Sequence, residues 1–369
     1  MKVLFTGNID NIAYSCAKFT RWLGEEADVL VSTAEQEVSH PFWEDPEEVA
    51  APIMQIFNRR RGLQTPMSLF DLRRTFKQYD VVVSMGMMSI AAYLLSRPYV
   101  AVALGADMKE LVFEKTPRGW LMDSAFRRAD RLYYNDADHL PAVTQKGYDA
   151  ARYFPIPVDV EKYHPPVAKR DNAELTLFHG ASLSWSLEWT RKKEIHSKTL
   201  KRNDIFFKGL SRYVVGGRKV KVVVPLWGPD KERVVPLCRE LGIEHCIDFV
   251  PPQTKPQLLA MYQGVDIVVD QFNMPRLGYN ALEALSCGAP VLGYYSEDLQ
   301  RACYPELPPV FKAGNEEEVA ACLEQLGDEA VRRQAGEAGR QWILDHHHWQ
   351  PIMEELLGQC RALAQGFAA

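Results

Sequence analysis

Residues 277–296, LGYNALEALSCGAPVLGYYS, contain residue types that could bind an anion at the start of a helix. Gly278 precedes a predicted helix whose first residues are Tyr279 and Asn280. Backbone N–H groups at a helix start lack acceptors within the helix and lie at the positive end of its dipole, so they can bind phosphate. Glu283 falls in the second turn, where it could accept hydrogen bonds from ribose hydroxyls. A loop glycine followed by a surface glutamate is the alternative, because helix starts of this kind are common.

Short apolar segments alternate with helical patterns along the chain. The predicted strands cover residues 2–5, 28–31, 80–84, 99–104, 131–135, 175–179, 221–226, 247–250, 266–270 and 290–294. Continuous apolar runs between helices are typical of parallel sheets that are covered on both faces. We also predict a helix over residues 11–23. A second helix is predicted after Asp45, with Val49, Ile53 and Phe57 on one face. The fold class is therefore α/β, with doubly wound parallel sheets.

One polar stretch without a strand, residues 165–174, interrupts this alternation. A chain of 369 residues is too long for one ordinary core, so two domains are expected. The polar stretch predicts the linker between them. We expect one Rossmann-like domain over residues 1–165 and a second over residues 174–345. Ligands of doubly wound sheets bind at the carboxyl ends of the strands, so the loops after the strands are expected to face a cleft.

The segment DIVVDQFNMPRLGYNALEALSCGAPVLG, residues 266–293, resembles the donor-binding segment of family four nucleotide-sugar glycosyltransferases. These are retaining enzymes with the two-domain GT-B fold. The residues in step with the family pattern are Asp266, Gly278, Glu283, Ala284, Gly288, Pro290 and Val291. The resemblance implies that Gly278 binds phosphate and that Glu283 binds ribose. It also implies that a final helix, within residues 349–369, packs on the first domain.

The resemblance departs from the family pattern at Pro275, where the family has a first glutamate that touches the donor sugar. Asp270 and Gln271 are similar to a sub-branch that carries Asp-Gln at this point and also lacks that glutamate. In such a sub-branch these two polar side chains would face the donor instead.

Other segments extend the resemblance over most of residues 1–355, weakly in the first half and well in the second. Residues 151–165 are similar to the interdomain stretch of the family. Residues 226–269 are similar to its base-binding section, which implies that Phe249 lies against the nucleobase and that the Val250 backbone reads the base edge. Further candidate donor contacts at strand ends are His179, Gly180, Trp227 and Gly228.

Two cations are candidates for stabilising the leaving group. Phe207-Lys208-Gly209 resembles the part of the family pattern that supplies a cationic lysine, and a fixed cation stabilises the charge that grows on a departing nucleotide diphosphate. Arg202 is the candidate for the family's arginine, with Arg191 as the alternative because the linking segment is unusually long. A solvated basic face is the other interpretation. Because these cations can neutralise a diphosphate, we expect neither a metal nor another cofactor.

In the first half, Gly7 and Asn8 follow the first strand and could approach the donor phosphates. A plain strand–helix turn would place the same residues there. Leu104 stands where the family often has a histidine at the reaction centre. Asp107 is the nearest polar replacement and a candidate catalytic residue, although an aspartate at a helix start is often only a cap.

Residues 58–78 predict a basic amphipathic helix. Its cations include Arg59, Arg60, Arg61, Arg73 and Arg74, beside an apolar stripe of Leu69, Leu72 and Phe76. Such a helix can lie on an anionic membrane, or it can be a core helix with one solvated face. Trp185 and Trp189 lie in a basic loop that could bind an acceptor or form a mobile lid.

The totals fit a soluble globular protein, with 47% apolar and 25% charged residues. The formal charge of −5 gives no general attraction to nucleic acid. Seven scattered cysteines without a CxxC pair indicate thiols in a reducing cytoplasm. No run of 18 apolar residues is present, so no membrane span is predicted. The consecutive histidines 346–348 would not share a helix face, which makes a metal site there unfavourable.

The resemblance therefore implies a cytoplasmic glycosyltransferase. A peripheral location at the inner face of the membrane is an alternative. The enzyme would move a sugar from a nucleotide-sugar donor to a glycan, lipid-linked or small-molecule acceptor, with retention. A sugar-nucleotide epimerase on the same fold is one alternative, and it would need acid–base carboxylates and a histidine in the cleft. A non-catalytic partner subunit that binds a nucleotide sugar is the other, and Pro275 and Leu104 motivate it.

Overall fold

The chain forms two compact units in a computed structural model. The described residues are 1–31, 40–46, 53–55, 57–60, 63–66, 69–95, 98–167, 174–188, 190, 197 and 199–368. Unit 1 comprises residues 1–157 and 348–369, and unit 2 comprises residues 158–347. The division thus precedes the predicted linker. Residues that follow Pro157 belong to unit 2 because the Arg340 guanidinium donates hydrogen bonds to the carbonyls of Val160 and Tyr163, at 3.1 and 2.9 Å.

Unit 1 is built on a parallel sheet. Its strands are β1 (Lys2–Thr6), β2 (Glu26–Val31), β3 (Ile53–Gln55), β6 (Val81–Met85), β7 (Tyr99–Ala103), β8 (Arg131–Tyr134) and β9 (Arg152–Tyr153), and a separate hairpin contains β4 (Phe57–Arg60) and β5 (Leu63–Pro66). The sheet order is β3-β2-β1-β6-β7-β8-β9. Its helices are α1 (Ile12–Trp22), α2 (Pro41–Glu44), α3 (Leu69–Phe76), α4 (Met88–Leu95), α5 (Ala106–Lys109), α6 (Pro117–Arg127) and α7 (Leu140–Lys146). Short 3-10 turns occur at Leu111–Phe113 and Ala137–His139.

Unit 2 is built on a second parallel sheet. Its strands are β10 (Leu175–His179), β11 (Val220–Pro225), β12 (Ile247–Val250), β13 (Ile267–Val269), β14 (Val291–Gly293) and β15 (Phe311–Lys312), in the order β12-β11-β10-β13-β14-β15. Its helices are α8 (Asn203–Val215), α9 (Lys231–Glu240), α10 (Lys255–Gly264), α11 (Tyr279–Ser286), α12 (Glu297–Cys303), α13 (Glu316–Leu326) and α14 (Glu329–His346), with a 3-10 turn at Glu244–Cys246. The last helix, α15 (Trp349–Ala368), belongs to unit 1, where the Trp349 ring stacks on Phe19 of α1 at 5.0 Å.

The predicted α/β class with two Rossmann-like units is confirmed, and every predicted strand occurs with its ends shifted by at most two residues. The reason is burial, since the central strands β6 and β7 are inaccessible along their whole length. That position in a parallel sheet favours nearly continuous apolar segments. In unit 2, Phe206 and Phe207 of α8 fill the core beneath β10 and β11.

The predicted helix after Asp45 is wrong where the structure describes it. Ile53–Gln55 forms β3, which pairs in parallel with β2, and Phe57 begins β4. Residues 47–52 lie outside the described residues. A helix-like spacing of three apolar residues was outweighed by strand pairing with the sheet edge.

The predicted basic helix over residues 58–78 is also wrong in its first half. Arg59 and Arg60 lie in strand β4 of the hairpin, Arg61 lies outside the described residues, and only Leu69–Phe76 is helical. In that helix Leu72 and Phe76 are buried, while Arg73 and Arg74 are exposed. Leu72 and Phe76 of the apolar stripe therefore belong to the core. None of the described helices is both long and apolar enough to cross a membrane.

Candidate functional site

The carboxyl edge of the unit 2 sheet brings the predicted donor residues together. Strands β10, β11, β12 and β13 are parallel, so His179, Pro225, Val250 and Val269 end at the same edge. Helix α11 begins ten residues after Val269, the last of these strand ends along the chain. This edge is where ligands of doubly wound sheets bind.

Gly278 is the N-cap of α11 and lies directly against Asp270. Its N–H donates to Asp270 Oδ2 at 2.7 Å, and a Cβ at this position would lie 2.5 Å from Asp270 Oδ1. Asp270 is 3% exposed, and burial raises the pKa of its carboxyl group. The N–H of Gly278 is therefore committed to Asp270. The amides of Tyr279 and Asn280 follow in the first turn, ahead of the intrahelical hydrogen bonds.

Two side chains from α10 contact the carboxylate of Glu283. Its carboxylate is 1% exposed, and its Oε1 forms a close ion pair with Lys255 Nζ. The Tyr262 hydroxyl lies 3.1 Å from Oε2 and 3.0 Å from Asn280 Oδ1. Burial, and then the charge of Glu283, raise the pKa of Tyr262 well above its usual range, so the hydroxyl keeps its proton and donates.

Lys255 was not predicted as a site residue. The signal available in the sequence is its position seven residues before Tyr262, which puts both side chains on one face of a helix. That spacing says nothing about Glu283, which lies on another helix. The contact between Lys255 and Glu283 becomes visible only once α10 packs against α11.

His179 is buried and bonded within the protein, which differs from its predicted role as a donor contact. Its Nδ1 bonds the carbonyl of Val269 at 3.1 Å, and its Nε2 accepts from Asn203 Nδ2 at 2.9 Å. Asn203 Oδ1 in turn accepts from the N–H of Ser184 at 2.8 Å. The ring is 0% exposed, and burial lowers the pKa of His179 to about 4. His179 therefore fixes the start of α8 as a neutral ring.

Two loop segments, at Gly180 and at Trp227–Gly228, contact each other beside α11. The carbonyl of Gly180 accepts from Trp227 Nε1 and from Asn280 Nδ2, both at 3.1 Å. Gly228 has a positive φ of 103°, and a Cβ there would lie 2.5 Å from the backbone nitrogen of Leu183. Only glycine fits that conformation and that contact. These residues therefore lie at the expected edge and shape its backbone.

The predicted nucleobase residues lie at the end of the edge strand β12. Phe249 and Val250 are half-buried, and Phe249 packs on the core of unit 2. The carbonyl of Val250 accepts from the N–H of Leu226 at 2.8 Å. That carbonyl is therefore engaged within the sheet edge.

Gln271 organises the loop before α11, which differs from its predicted contact with the donor. Its Nε2 donates to the carbonyls of Met274, Arg276 and Tyr294, at 2.8, 2.7 and 3.1 Å. Its Oε1 accepts from the N–H of Asn273 at 3.0 Å. The side chain is 1% exposed and holds the turn that places Gly278 against Asp270.

Arg202 and Lys208 share one carboxylate. Arg202 Nε and Nη2 donate to Asp204 Oδ1 and Oδ2 at 2.9 and 3.1 Å, and this contact raises the pKa of Arg202. Lys208 Nζ lies 3.6 Å from Asp204 Oδ2. The Arg202 backbone has a φ of +53°, which is strained for a residue other than glycine. Asp204 was missed, although its spacing of four residues before Lys208 indicates a helical ion pair.

The candidates in unit 1 have structural partners. A Cβ at Gly7 would lie 2.0 Å from the carbonyl oxygen of Met85, so glycine is required there. The buried Asn8 side chain accepts from the N–H of Tyr14 at 2.9 Å, within the first turns of α1. Asp107 Oδ1 accepts from the N–H of Gly105 at 2.6 Å and the same carboxylate accepts from the N–H of Leu104. The Asp107 carboxylate therefore bonds back to the two amides that precede α5, whose N-cap is Gly105.

The candidate acceptor loop is described only in part. Trp185 is half-buried and packs on the core of unit 2. Its backbone N–H donates to Asp230 Oδ2 at 2.7 Å. Trp189 and Arg191 lie outside the described residues. Asp230 is 1% exposed and also binds Ser186, so this part of the loop is fixed to unit 2.

One group of side chains in unit 1 has ligand types that a metal could use. Ligand atoms of Asp136, Asp138 and His139 lie within 4.8 Å of one another, at the carboxyl end of β8. Lys109 Nζ forms an ion pair with Asp138 Oδ2 at 2.6 Å. Asp136 Oδ1 accepts from the N–H of Asp138 at 3.3 Å, as a cap of the 3-10 turn. The sequence analysis did not anticipate this group.

Part of the chain is similar in sequence to known glycosyltransferases. Residues 202–358 match the family model described as "Glycosyl transferase-like". The chain is 29% identical over 176 residues to a D-inositol 3-phosphate glycosyltransferase of Saccharomonospora viridis, covering 44% of this chain and 39% of the relative. It is 25% identical over 251 residues to D-inositol 3-phosphate glycosyltransferase 1 of Catenulispora acidiphila, covering 64% and 58%. The chain thus spans about two fifths to three fifths of these curated relatives.

Solved structures agree over the whole chain. Sucrose-phosphate synthase from Thermosynechococcus elongatus is similar with a TM-score of 0.70 and 14% identity, covering 100% of this chain and 99% of that one. HepE of Anabaena, in complex with UDP-glucose, is similar with a TM-score of 0.73 and 16% identity, covering 98% and 100%. The fold is therefore GT-B. Residues 202–358 are similar to the glycosyl transferase-like family, and the rest of the chain is similar to these structures in fold.

Proposed function

We propose that this protein moves a sugar from a nucleotide-sugar donor to an acceptor. The observation that carries the proposal is the start of α11, where Gly278 packs on Asp270 and Glu283 follows one turn later. This arrangement lies within the segment that matches the glycosyl transferase-like family. Structural neighbours in complex with UDP and UDP-glucose support the same class of donor.

Arg202 and Lys208 would stabilise the leaving group. When the bond between the anomeric carbon and the diphosphate oxygen breaks, its electron pair stays on the diphosphate. The acceptor hydroxyl oxygen bonds to the carbon and passes its proton to that departing diphosphate oxygen. Cations near the departing oxygen lower that barrier. We propose that these two side chains replace a metal, and that departure and attack occur on one face of the sugar with retention. NMR of the product that shows an inverted anomeric centre would contradict this mechanism.

The acceptor is proposed to be a glycan, a lipid-linked glycan or a small molecule, in the cytoplasm. Helix α3 and Lys77 directly after it support contact with an anionic membrane, because Phe70, Arg73, Arg74 and Lys77 are exposed at helical spacing. Phe70 is 75% exposed. Co-sedimentation with vesicles of phosphatidylglycerol should exceed that with phosphatidylcholine, and Arg73→Gln with Arg74→Gln should remove the difference. Equal binding to both vesicles would refute the membrane contact.

The donor class is tested by calorimetric titration. UDP, GDP, ADP, TDP and CMP, each with its sugar conjugates, are titrated into the wild type, Glu283→Gln and Glu283→Ala. One base should bind, and loss of Glu283 should weaken it about tenfold or more, which is about 1.4 kcal/mol. Glu240→Gln, at the exposed end of α9, is the matched control. If no nucleotide binds to the wild type, the proposal is wrong.

A non-catalytic partner subunit is the second candidate. It is favoured by one observation, which is that Asp204 already neutralises part of the charge of both Arg202 and Lys208. Nucleotide binding without turnover of the bound sugar conjugate, on any acceptor or water, would favour this candidate. Release of the sugar with the nucleoside diphosphate would favour the transferase.

A further inference from the structure

Lys255 is the outer member of the pair that it forms with Glu283. The carboxylate of Glu283 is 1% exposed, whereas the side chain of Lys255 is 14% exposed. The ammonium group therefore lies between the carboxylate and the solvent side of the site. A ligand that approaches Glu283 meets Lys255 first.

The position of Lys255 is unfavourable for the helix that contains it. Lys255 is the first residue of α10, and a cation at a helix N-terminus is opposed by the helix dipole. Its ammonium is instead held by Glu283 and by the face of the Tyr279 ring, 4.9 Å from the ring centroid. Both partners belong to the first two turns of α11. A residue that is unfavourable for its own helix and that bonds a candidate site is expected to have a role in that site.

We propose that Lys255 is the group that donates a hydrogen bond to the ribose of the bound nucleotide, with Glu283 as its fixed counterion. This inference rests on the proposed function, because it requires a nucleotide at this edge of unit 2. An ammonium has three donors and no acceptor. With one donor committed to Glu283, the others can reach a hydroxyl oxygen on the outer side.

The chemistry of a vicinal diol fits this pair. Each ribose hydroxyl oxygen can accept from the ammonium, which lies on the outer side of the buried carboxylate. Tyr262 occupies the other carboxylate oxygen at 3.1 Å and keeps the group from rotating. The pair therefore distinguishes a nucleotide that has ribose hydroxyls from one that lacks them.

The test is a comparison of affinities across two changes. UDP, ADP and GDP, and the 2′,3′-dideoxy counterpart of each, are titrated into the full chain with Lys255, Lys255→Arg or Lys255→Met. A hydrogen bond to a charged group contributes about 1.5–3 kcal/mol, so the wild type should prefer the ribonucleotide roughly tenfold to hundredfold. Lys255→Met should lose that preference, and Lys255→Arg should retain most of it. Lys231→Met, at the exposed first residue of α9, is the matched control.

Each other outcome overturns the inference in a distinguishable way. If Lys255→Met weakens the ribonucleotide and the dideoxynucleotide equally, the ammonium contacts phosphate or base or only supports the fold. If Lys255→Met keeps the full preference, another group reads the ribose. If no ribonucleotide binds to the wild type, the proposed function fails together with the inference. Thermal unfolding of each variant shows whether the protein measured is folded.

Discussion

The carboxylate of Asp204 accepts two hydrogen bonds from the guanidinium of Arg202, at 2.9 and 3.1 Å. This contact holds a backbone with a φ of +53° at the residue before α8. The amides at positions 201 and 202 both donate to the carbonyl of Ser184 at 2.9 Å, so backbone bonds reinforce the same geometry. A strained residue that is fixed from several sides is a mark of functional sites. The pairing therefore favours a positioned cation over a freely moving one.

Replacement of either proposed leaving-group cation should slow the chemical step. Arg202→Gln and Lys208→Met are each expected to lower kcat roughly tenfold to hundredfold, with a smaller change in the donor KM, because the charge grows mainly in the transition state. Steady-state kinetics with the bound nucleotide sugar measures both constants. Arg212→Gln is the control, since Arg212 lies one turn further along α8 and pairs with Glu316 at the surface. Equal loss in the control would assign the effect to the helix.

Asp204→Asn tests whether the carboxylate positions the cations. Asparagine keeps the size of the side chain and one acceptor but loses the ion pair with Arg202. We expect kcat to fall while the affinity for the nucleoside diphosphate is retained or improved, because one negative charge is removed near an anionic ligand. An unchanged kcat would show that Arg202 and Lys208 need no such positioning.

Gly278→Ala should disrupt the start of α11. The added Cβ would lie 2.5 Å from Asp270 Oδ1, which is itself fixed by burial. We expect a loss of about 1–3 kcal/mol in unfolding free energy, typical of overpacking, together with weaker nucleotide binding. Gly264→Ala, at the end of α10 with no atom within 4 Å of its added Cβ among the described residues, is the control. It should change stability by less than about 1 kcal/mol. Urea unfolding and calorimetry provide the two measurements.

The sequence was most informative where burial is continuous. Strands β6 and β7 could be predicted because a fully buried parallel strand is made mostly of apolar residues. Strand β3 could not be predicted because it pairs with β2, 24 residues earlier (Val29 with Ile53). Strands β4 and β5 pair with each other locally, but their mixed polar and apolar residues gave no strand pattern. A short amphipathic spacing does not show whether a segment forms a helix or a strand.

The site divides in the same way. Gly278 and Glu283 could be predicted because their spacing within one helix start is local. The partners that determine what they do could not be, since Lys255 is 28 residues from Glu283 in sequence and Asn203 is 24 residues from His179. Only helix packing and strand order bring such pairs together. The same contacts turned His179 and Gln271 from expected ligand contacts into internal supports.

His179 should make unit 2 sensitive to acid. Burial lowers its pKa from 6.5 to about 4, so the unfolded chain binds a proton at a higher pH than the folded chain does. The stability that the neutral ring contributes is fully present above pH 6.5 and is lost as the pH falls toward about 4, by about 3 kcal/mol in total. His179→Gln should show a smaller change in urea midpoint between these two pH values. His245→Gln, which replaces an exposed histidine, should behave as the wild type.

Chelation should leave the proposed activity intact. Stabilisation of the leaving-group charge is assigned to Arg202 and Lys208. In the Asp136–Asp138–His139 group, one oxygen of Asp138 is already paired with Lys109. We therefore expect the same rate of sugar transfer in EDTA, and no increase with added Mg²⁺ or Mn²⁺. Loss of activity in EDTA that Mn²⁺ restores would contradict the metal-free mechanism. In that event Asp136→Asn, compared with Asp149→Asn at an exposed position, would show whether this group binds the ion.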